Sequence, residues 1–134
     1  MKARLLDSDI LSLILRADSH VVQQARDYAR AQGKAAVSVI TCFEILRGLQ
    51  YSNATRKLAA FEKFIATNFV IDLDLAASRR AASIHVDLRS AGTPLEDADL
   101  LIAAIALANN CVLVTNNVAH YRRIPGLEFE NWAE

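Results

Sequence analysis

Residues 5–10 read LLDSDI, an apolar segment that ends in two aspartates and then becomes apolar again. The continuous apolar character before Asp7 predicts a buried β-strand, and the apolar spacing after Asp9 predicts an α-helix. An aspartate at the start of a helix can cap its free amide groups. Carboxylates at the end of a strand can instead bind a metal ion. The rest of the sequence has to distinguish these two explanations.

Length and composition favour one soluble domain that spans residues 1–134, of which 53% are hydrophobic. The formal charge is zero, which argues against a chain that is strongly basic as a whole and binds nucleic acid through that charge. The longest apolar run, at 100–108, is too short to cross a bilayer, and no signal peptide is evident. Cys42 and Cys111 lie in apolar segments, and we expect reduced, buried thiols in a cytoplasmic protein.

Strand-like and helix-like segments alternate along the chain. Five apolar segments have the length of buried strands: 3–7, 35–39, 69–73, 111–115 and 127–131. Helical patterns occupy the intervening stretches: 9–17, 19–33, 40–49, 53–67, 76–91, 96–110 and a short helix within 116–123. This alternation predicts an α/β fold with a parallel sheet covered by helices on both faces.

Polar residues occupy the positions where such folds bind ligands, which are the carboxyl ends of the strands. Asp7 ends the first strand, and Thr115, Asn116 and Asn117 follow the fourth. The remaining candidates lie on helices next to the second and fourth strands: Glu44, Asp97 and Asp99. The sequence therefore predicts that these side chains converge on one edge of the sheet.

Each polar residue also has a simpler explanation. Asp97 or Asp99 can cap the helix that they begin, Glu44 can pair with Arg47, and Asn117 can be a turn residue. Acids that converge repel one another, however, so a fold that assembles them needs a cation. Oxygen ligands without histidine or cysteine favour Mg²⁺ or Mn²⁺, and such ions promote phosphodiester hydrolysis.

The histidines and the common phosphate motifs offer no competing site. His20, His85 and His120 are dispersed without ligand spacing, so we interpret them as surface or structural residues. The sequence contains no Walker or GxGxxG phosphate loop.

Four motifs together resemble the PIN-domain ribonucleases, and specifically the VapC-type toxins of prokaryotic toxin–antitoxin pairs. The motifs are LLDSDIL at 5–11, FEILRG at 43–48, DADLLIAAIA at 97–106 and VTNNVAHYRRIPGLEFENW at 114–132. The resemblance implies a PIN-like three-layer sandwich with a central, mainly parallel sheet of four to five strands flanked by helices. It also implies a homodimer, an Mg²⁺-dependent endoribonuclease activity and inhibition by a small antitoxin.

The resemblance implies three acids as catalytic residues and metal ligands: Asp7, Glu44 and Asp99. It implies auxiliary roles for Asp97 and Asp9. Asp9 would either cap the helix or bind a metal-bound water. Asn117 stands where many members have a fourth acid, and it is the fourth catalytic candidate. Its amide oxygen can ligate a metal or position a water but adds no charge, which argues against a second acidic metal pocket.

Two other functions are compatible with parts of the sequence. A haloacid-dehalogenase-like phosphatase also begins with a strand and Asp-x-Asp, but a convincing lysine is missing and Glu44 would be unexplained. A non-catalytic PIN domain that only binds RNA or a partner would not need the three retained acids. For the antitoxin we predict a helix in a groove, bound by apolar residues of segments 9–17 and 40–66: Leu11, Ile14, Leu46, Leu49 and Phe61.

Overall fold

The computed structural model describes residues 2–134, which form five strands and seven helices. The strands are β1 (Arg4–Leu6), β2 (Ala36–Ser38), β3 (Phe69–Ile71), β4 (Val112–Val114) and β5 (Phe129–Glu130). The helices are α1 (Ser8–Leu15), α2 (Ser19–Gln32), α3 (Val39–Tyr51), α4 (Thr55–Thr67), α5 (Leu75–Ser90), α6 (Asp97–Ala108) and α7 (Val118–Tyr121). All the predicted elements are present, each within a few residues of its expected bounds.

The five strands form one sheet in the order β3-β2-β1-β4-β5, and every pair is parallel. The predicted α/β fold with a central parallel sheet is thus confirmed. The chain builds outward from β1 to β2 and β3, then returns to place β4 and β5 on the other side of β1. The strand order therefore reverses between β1 and β4, and this crevice is where such sheets bind ligands.

Alternate residues of the central strands face opposite helical layers. Leu5 and Leu113 belong to one core cluster, which α5 and α6 cover, while Leu6 and Val114 belong to a second cluster under α1 to α4. Both pairs are buried almost completely. This is why the strands have no polar face, and it confirms the three-layer arrangement.

The ends of several helices follow local rules. Gly33 ends α2 with a positive φ of 91°, and Asn110 follows α6 with a φ of 53°. The sequence predicts Ser19 as the N-cap of α2, but the cap is Asp18, because the Asp18 carboxylate accepts a hydrogen bond from the Val21 amide. Across residues 2–134, no helix is both long and apolar enough to cross a bilayer.

The sequence predicts an apolar face of α3 at Ile40, Phe43, Leu46 and Leu49. Three of these four residues are partly buried against the core clusters, and Phe43 is the exception. Phe43 is 59% exposed, whereas Ile45 is buried against the second cluster. The prediction that Phe43 lies on the buried face is wrong. Leu11 and Phe61, expected to contact an antitoxin, are also buried inside the protein. Burial of such a side chain contributes about 1.5–3 kcal/mol to folding, so these two belong to the core instead.

Candidate metal centre

Asp7 lies where β1 ends, beside the end of β4. The register that pairs Leu6 with Val114 continues one residue further, since the Asp7 amide donates to the Val114 carbonyl at 2.9 Å. This places the Asp7 carboxylate next to Thr115, whose hydroxyl donates to Asp7 Oδ2 at 2.8 Å. The other oxygen accepts from the Ser8 amide at 2.8 Å. Asp7 is 5% exposed, and it is the N-cap of α1.

The environment of Asp7 disfavours its charged form. Burial, followed by the charge of Asp9, raises the pKa of Asp7 to about 7, and the charge of Asp99 adds to the shift. Hydrogen bonds from Thr115 and Ser8 oppose this rise without cancelling it. The mutual repulsion expected from the sequence is therefore present at Asp7.

Asp9 connects α1 to the loop that follows β4. Its Oδ2 accepts from the Asn116 amide at 2.9 Å, and its Oδ1 accepts from the Ile10 amide at 2.8 Å. Burial raises the pKa of Asp9. Asp7 is the N-cap of α1, while Asp9 accepts from a first-turn amide of the same helix, so the auxiliary role of Asp9 stays a prediction.

Asp99 is held by α7. The Tyr121 hydroxyl donates to Asp99 Oδ1 at 3.2 Å, and His120 Nδ1 lies 3.1 Å from Asp99 Oδ2. No side-chain hydrogen bond caps α6 within the described residues, so Asp99 lies in the first turn of α6 without acting as a hydrogen-bonding cap. Burial, together with the charges of Asp7 and Asp99, raises the pKa of the Tyr121 hydroxyl, which keeps it protonated as a donor.

Asn117 reaches this group through His120. Its side-chain nitrogen lies 2.7 Å from His120 Nδ1, and its backbone amide donates to Thr115 Oγ1 at 2.9 Å. Sequence reasoning interpreted His120 as a surface or structural residue and did not single out Tyr121. The available signal was their position in a short helix directly after the polar end of β4.

Glu44 is connected to the same loop from α3. The Ser8 hydroxyl donates to Glu44 Oε1 at 2.7 Å, which brings Glu44 next to the residue that follows Asp7. The suggested ion pair with Arg47 is not formed, because the Arg47 guanidinium instead lies 4.8 Å from the centroid of the Phe43 ring. Glu44 also borders an open groove between α1, α3 and α4.

Asp97 points elsewhere. It is exposed at the first residue of α6 and lines a groove against α5 together with Ser78 and His85. The structure thus brings together Asp7, Asp9 and Asp99, joins Glu44 to them through Ser8, and places Asp97 on the α5 side of α6. The auxiliary role of Asp97 stays a prediction.

The assembled acids have no strong cationic partner. In the part of the chain that the structure describes, no lysine or arginine forms an ion pair with Asp7, Asp9 or Asp99. No three His, Cys, Asp or Glu side chains in residues 2–134 are arranged to hold one metal ion together. Mg²⁺ does not require such a cage, because proteins commonly bind it through one or two carboxylates while water and substrate phosphates fill the other positions. The oxygen-only donor set therefore fits a hard divalent cation.

The comparisons with known proteins agree with this fold. Residues 4–127 match the PIN domain family, and the chain belongs to it. It is 37% identical over 100 residues to the tRNA(fMet)-specific endonuclease VapC of Salmonella typhimurium, covering 74% of this chain and 76% of that protein. The protein of the same name from Shigella flexneri is 34% identical over 103 residues, covering 76% and 78%.

Solved structures give the same result. The DNA-bound VapBC of Salmonella typhimurium matches with a TM-score of 0.87 at 30% identity, over 98% of this chain and 99% of that chain. VapBC2 of Rickettsia felis, bound to a promoter DNA fragment, matches with a TM-score of 0.87 at 25% identity, over 97% and 98%. The resemblance to VapC-type PIN domains is confirmed, and the family match argues against a haloacid-dehalogenase-like phosphatase.

Proposed function

We propose that this protein is a divalent-metal-dependent endoribonuclease that acts as the toxin of a toxin–antitoxin pair. The observation that carries the proposal is the convergence of Asp7, Asp9 and Asp99 at the strand-order reversal, without a lysine or arginine partner among the described residues. Its relatives in the PIN family are named as RNA endonucleases. A domain that only binds RNA would not need acids at this edge of the sheet, because carboxylates repel the phosphates of RNA.

Each residue of the site would have a separate role. Asp7 and Asp99 would hold Mg²⁺, with Mn²⁺ as a substitute, and Glu44 would complete the shell or orient a water. When bound, the ion supplies neutralising charge near the scissile phosphate and lowers the pKa of a coordinated water. Thr115 and Ser8 keep the Asp7 carboxylate in place, and Ser8 also holds Glu44.

Two relatives carry tRNA(fMet) in their names, so this tRNA is the first substrate to test. We expect the purified chain to cleave it in Mg²⁺ and to be inactive in chelator. Asp7→Asn, Glu44→Gln and Asp99→Asn should each abolish cleavage while the protein stays folded. A variant that combines the three substitutions should lose little more cleavage activity than a single variant, because the three residues act as one site. Cleavage in chelator, or a fully active Asp99→Asn variant, would contradict the proposal.

The groove beside Glu44 supports an antitoxin as partner. Its volume is about 300 Å³ and its lining mixes apolar and basic residues: Ser12, Leu15, Arg16, Glu44, Ile45, Gly48, Leu49 and Lys57. The neighbouring solved structures named above are complexes of VapB with VapC. We propose that an antitoxin segment lies in this groove, with its apolar side on Leu15 and Leu49. Bound there, it would cover Glu44 and block access to the acids.

A homodimer is the other proposed assembly. Helix α5 exposes two large apolar side chains, Leu75 at 65% and Val86 at 59%, and an open groove of about 420 Å³ lies between α5 and α6. Burial of exposed apolar side chains is the main driving force of such association. We propose that a second copy of the chain covers this face.

A further inference from the structure

Side chains of α7 hold both carboxylate oxygens of Asp99. We propose that Tyr121 and His120 are positioning residues that fix the orientation of the Asp99 carboxylate, and that Asn117 acts through His120 rather than as a ligand. The inference rests on the proposed function in one respect, since it takes Asp99 as a residue that binds the metal ion.

Tyr121 is a rigid donor. The residue is completely buried, and its ring belongs to the core cluster under α5 and α6. The hydroxyl therefore has little freedom to leave Asp99 Oδ1, from which it is separated by 3.2 Å. Because core side chains occupy one well-packed rotamer, this contact sets the position of one carboxylate oxygen.

His120 sets the position of the other oxygen. Its Nδ1 lies 3.1 Å from Asp99 Oδ2 and 2.7 Å from the Asn117 amide group. One ring nitrogen carries either a hydrogen or a lone pair, and an ionised carboxylate only accepts hydrogen bonds. We infer that Nδ1 donates to Asp99 and that the Asn117 amide is turned so that its oxygen, rather than the nitrogen placed at 2.7 Å, faces the same N–H, because an N–H cannot donate to another N–H. This arrangement selects the Nδ1-protonated ring and orients it through Asn117.

The arrangement still leaves Asp99 able to bind a cation. Each carboxylate oxygen has two lone pairs, so one donor on each oxygen leaves one lone pair free on each. Hydrogen bonds to a metal-binding carboxylate fix its plane before the ion arrives. Loss of such a contact commonly costs about 10–100-fold in metal affinity or activity. The structure thus assigns a positioning role to Tyr121 and His120, which are not themselves metal ligands.

The test measures Mg²⁺ and Mn²⁺ binding by calorimetry and metal-dependent cleavage of tRNA(fMet). Tyr121→Phe keeps the buried ring and removes only the hydroxyl. His120→Ala removes the donor, whereas His120→Asn places an amide N–H near the position of Nδ1. Tyr28→Phe is the matched control, because the Tyr28 hydroxyl contacts the Arg4 amide at the opposite, amino end of β1. His20→Ala, at an exposed residue of α2, controls for loss of a histidine.

We expect Tyr121→Phe and His120→Ala to weaken metal binding by about 10–100-fold, and His120→Asn to restore most of that loss. The half-saturating metal concentration for cleavage should rise in parallel, while the KM for RNA at saturating metal stays constant. Both controls should bind metal as the wild type does. A Tyr121→Phe variant with a lower melting temperature but unchanged metal affinity would overturn the inference, because the hydroxyl would then only stabilise the fold.

A double-mutant cycle tests the role of Asn117. If Asn117 acts through His120, Asn117→Ala should weaken metal binding, and adding it to His120→Ala should cause little further loss. Additive losses would identify Asn117 as a ligand and overturn this part. A wild type that binds metal but cleaves no RNA would contradict the proposed function. The positioning role of Tyr121 and His120 would still be tested in that case, because calorimetry measures the metal affinity of the variants without RNA.

Discussion

Asp7 caps α1, which is one of the two roles that its sequence allows, and it lies where we propose the metal ion binds. Burial, followed by the charge of Asp9 and a smaller effect of Asp99, raises its pKa to about 7. A residue that served only as a cap would sit near solvent and ionise easily, whereas this one is buried between Thr115 and Ser8. Its raised pKa indicates that the fold accepts an electrostatic cost at this position, and such costs are concentrated at functional sites.

The first prediction concerns the pH dependence of the metal-free protein. The pKa of Asp7 is about 7 when folded and near its ordinary value of about 3.9 when unfolded. Folding therefore favours the protonated form, so the contribution of Asp7 to stability is complete below about pH 4 and is lost as the pH rises to about 7. Asp7→Asn, which cannot ionise, should flatten this loss in thermal melts in chelator between pH 4 and pH 8. An identical pH profile for both proteins would contradict the pKa shift.

The second prediction concerns coupling between Asp99 and Asp7. The charge of Asp99 raises the pKa of Asp7, so Asp99→Asn should lower that pKa and raise the melting temperature in chelator near pH 8. Mg²⁺ at a hundredfold excess over its dissociation constant should stabilise the wild type by about 2.7 kcal/mol, and the variant by less. NMR titration of the Asp7 carboxyl and thermal melts with and without Mg²⁺ measure both effects. An unchanged Asp7 pKa together with an unchanged Mg²⁺ response would remove Asp99 from the site.

At the scale of elements, the rotation of α3 decides which of its residues reach the site and which face solvent. Ile45 packs into the core, and this orientation directs Glu44 toward Ser8 and Gly48 toward the groove that α1 and α4 complete. Phe43 is left exposed with Arg47 beside its ring. The side of α3 that carries Glu44 therefore borders the proposed antitoxin groove.

The third prediction uses Gly48. A side-chain carbon added at this position meets no atom within 4 Å, so the fold accommodates a larger residue. Gly48→Ala should stabilise α3 by about 0.5–1 kcal/mol. Gly48→Leu should stay folded but fill the groove, and it should bind the cognate antitoxin at least tenfold more weakly. Equal binding by wild type and Gly48→Leu, measured by calorimetry with Gly48→Ala as the matched control, would place the antitoxin elsewhere.

At the scale of the whole molecule, the parallel sheet brings together residues that are far apart in the chain. Asp7 follows β1 and Thr115 follows β4, and the reversal of strand order makes these two strands neighbours. Helix α6 enters the same edge with Asp99, and α7 closes it with Tyr121. Val86 of α5 borders the groove between α5 and α6. Asp97, at the start of α6, lines the same groove.

The fourth prediction tests the proposed dimer. Val86→Glu should place a charge in the apolar contact and shift the protein from dimer to monomer in light scattering, because an unpaired buried charge is costly. Gln23→Glu, at an exposed position of α2, is the matched control and should leave the mass unchanged. A wild type that is monomeric at all accessible concentrations would contradict the proposed dimer, as would a Val86→Glu variant that remains dimeric.

The sequence by itself determined the elements, their order, the parallel sheet and the acids at its carboxyl edge. These features are local, because hydrophobic periodicity and helix-ending residues act within a few residues of one another. The four motifs at 5–11, 43–48, 97–106 and 114–132 together were also sufficient to place the chain in its family.

Only the tertiary structure decided which side chains meet. Phe43 was expected inside and lies outside, because the rotation of a helix depends on what its neighbours offer for packing. His120 and Tyr121 showed no ligand spacing, and they reach Asp99 only because α7 folds back over the start of α6. The pKa of Asp7 depends on burial and on charges from distant segments. Such contacts depend on long-range packing, which periodicity within single elements does not encode.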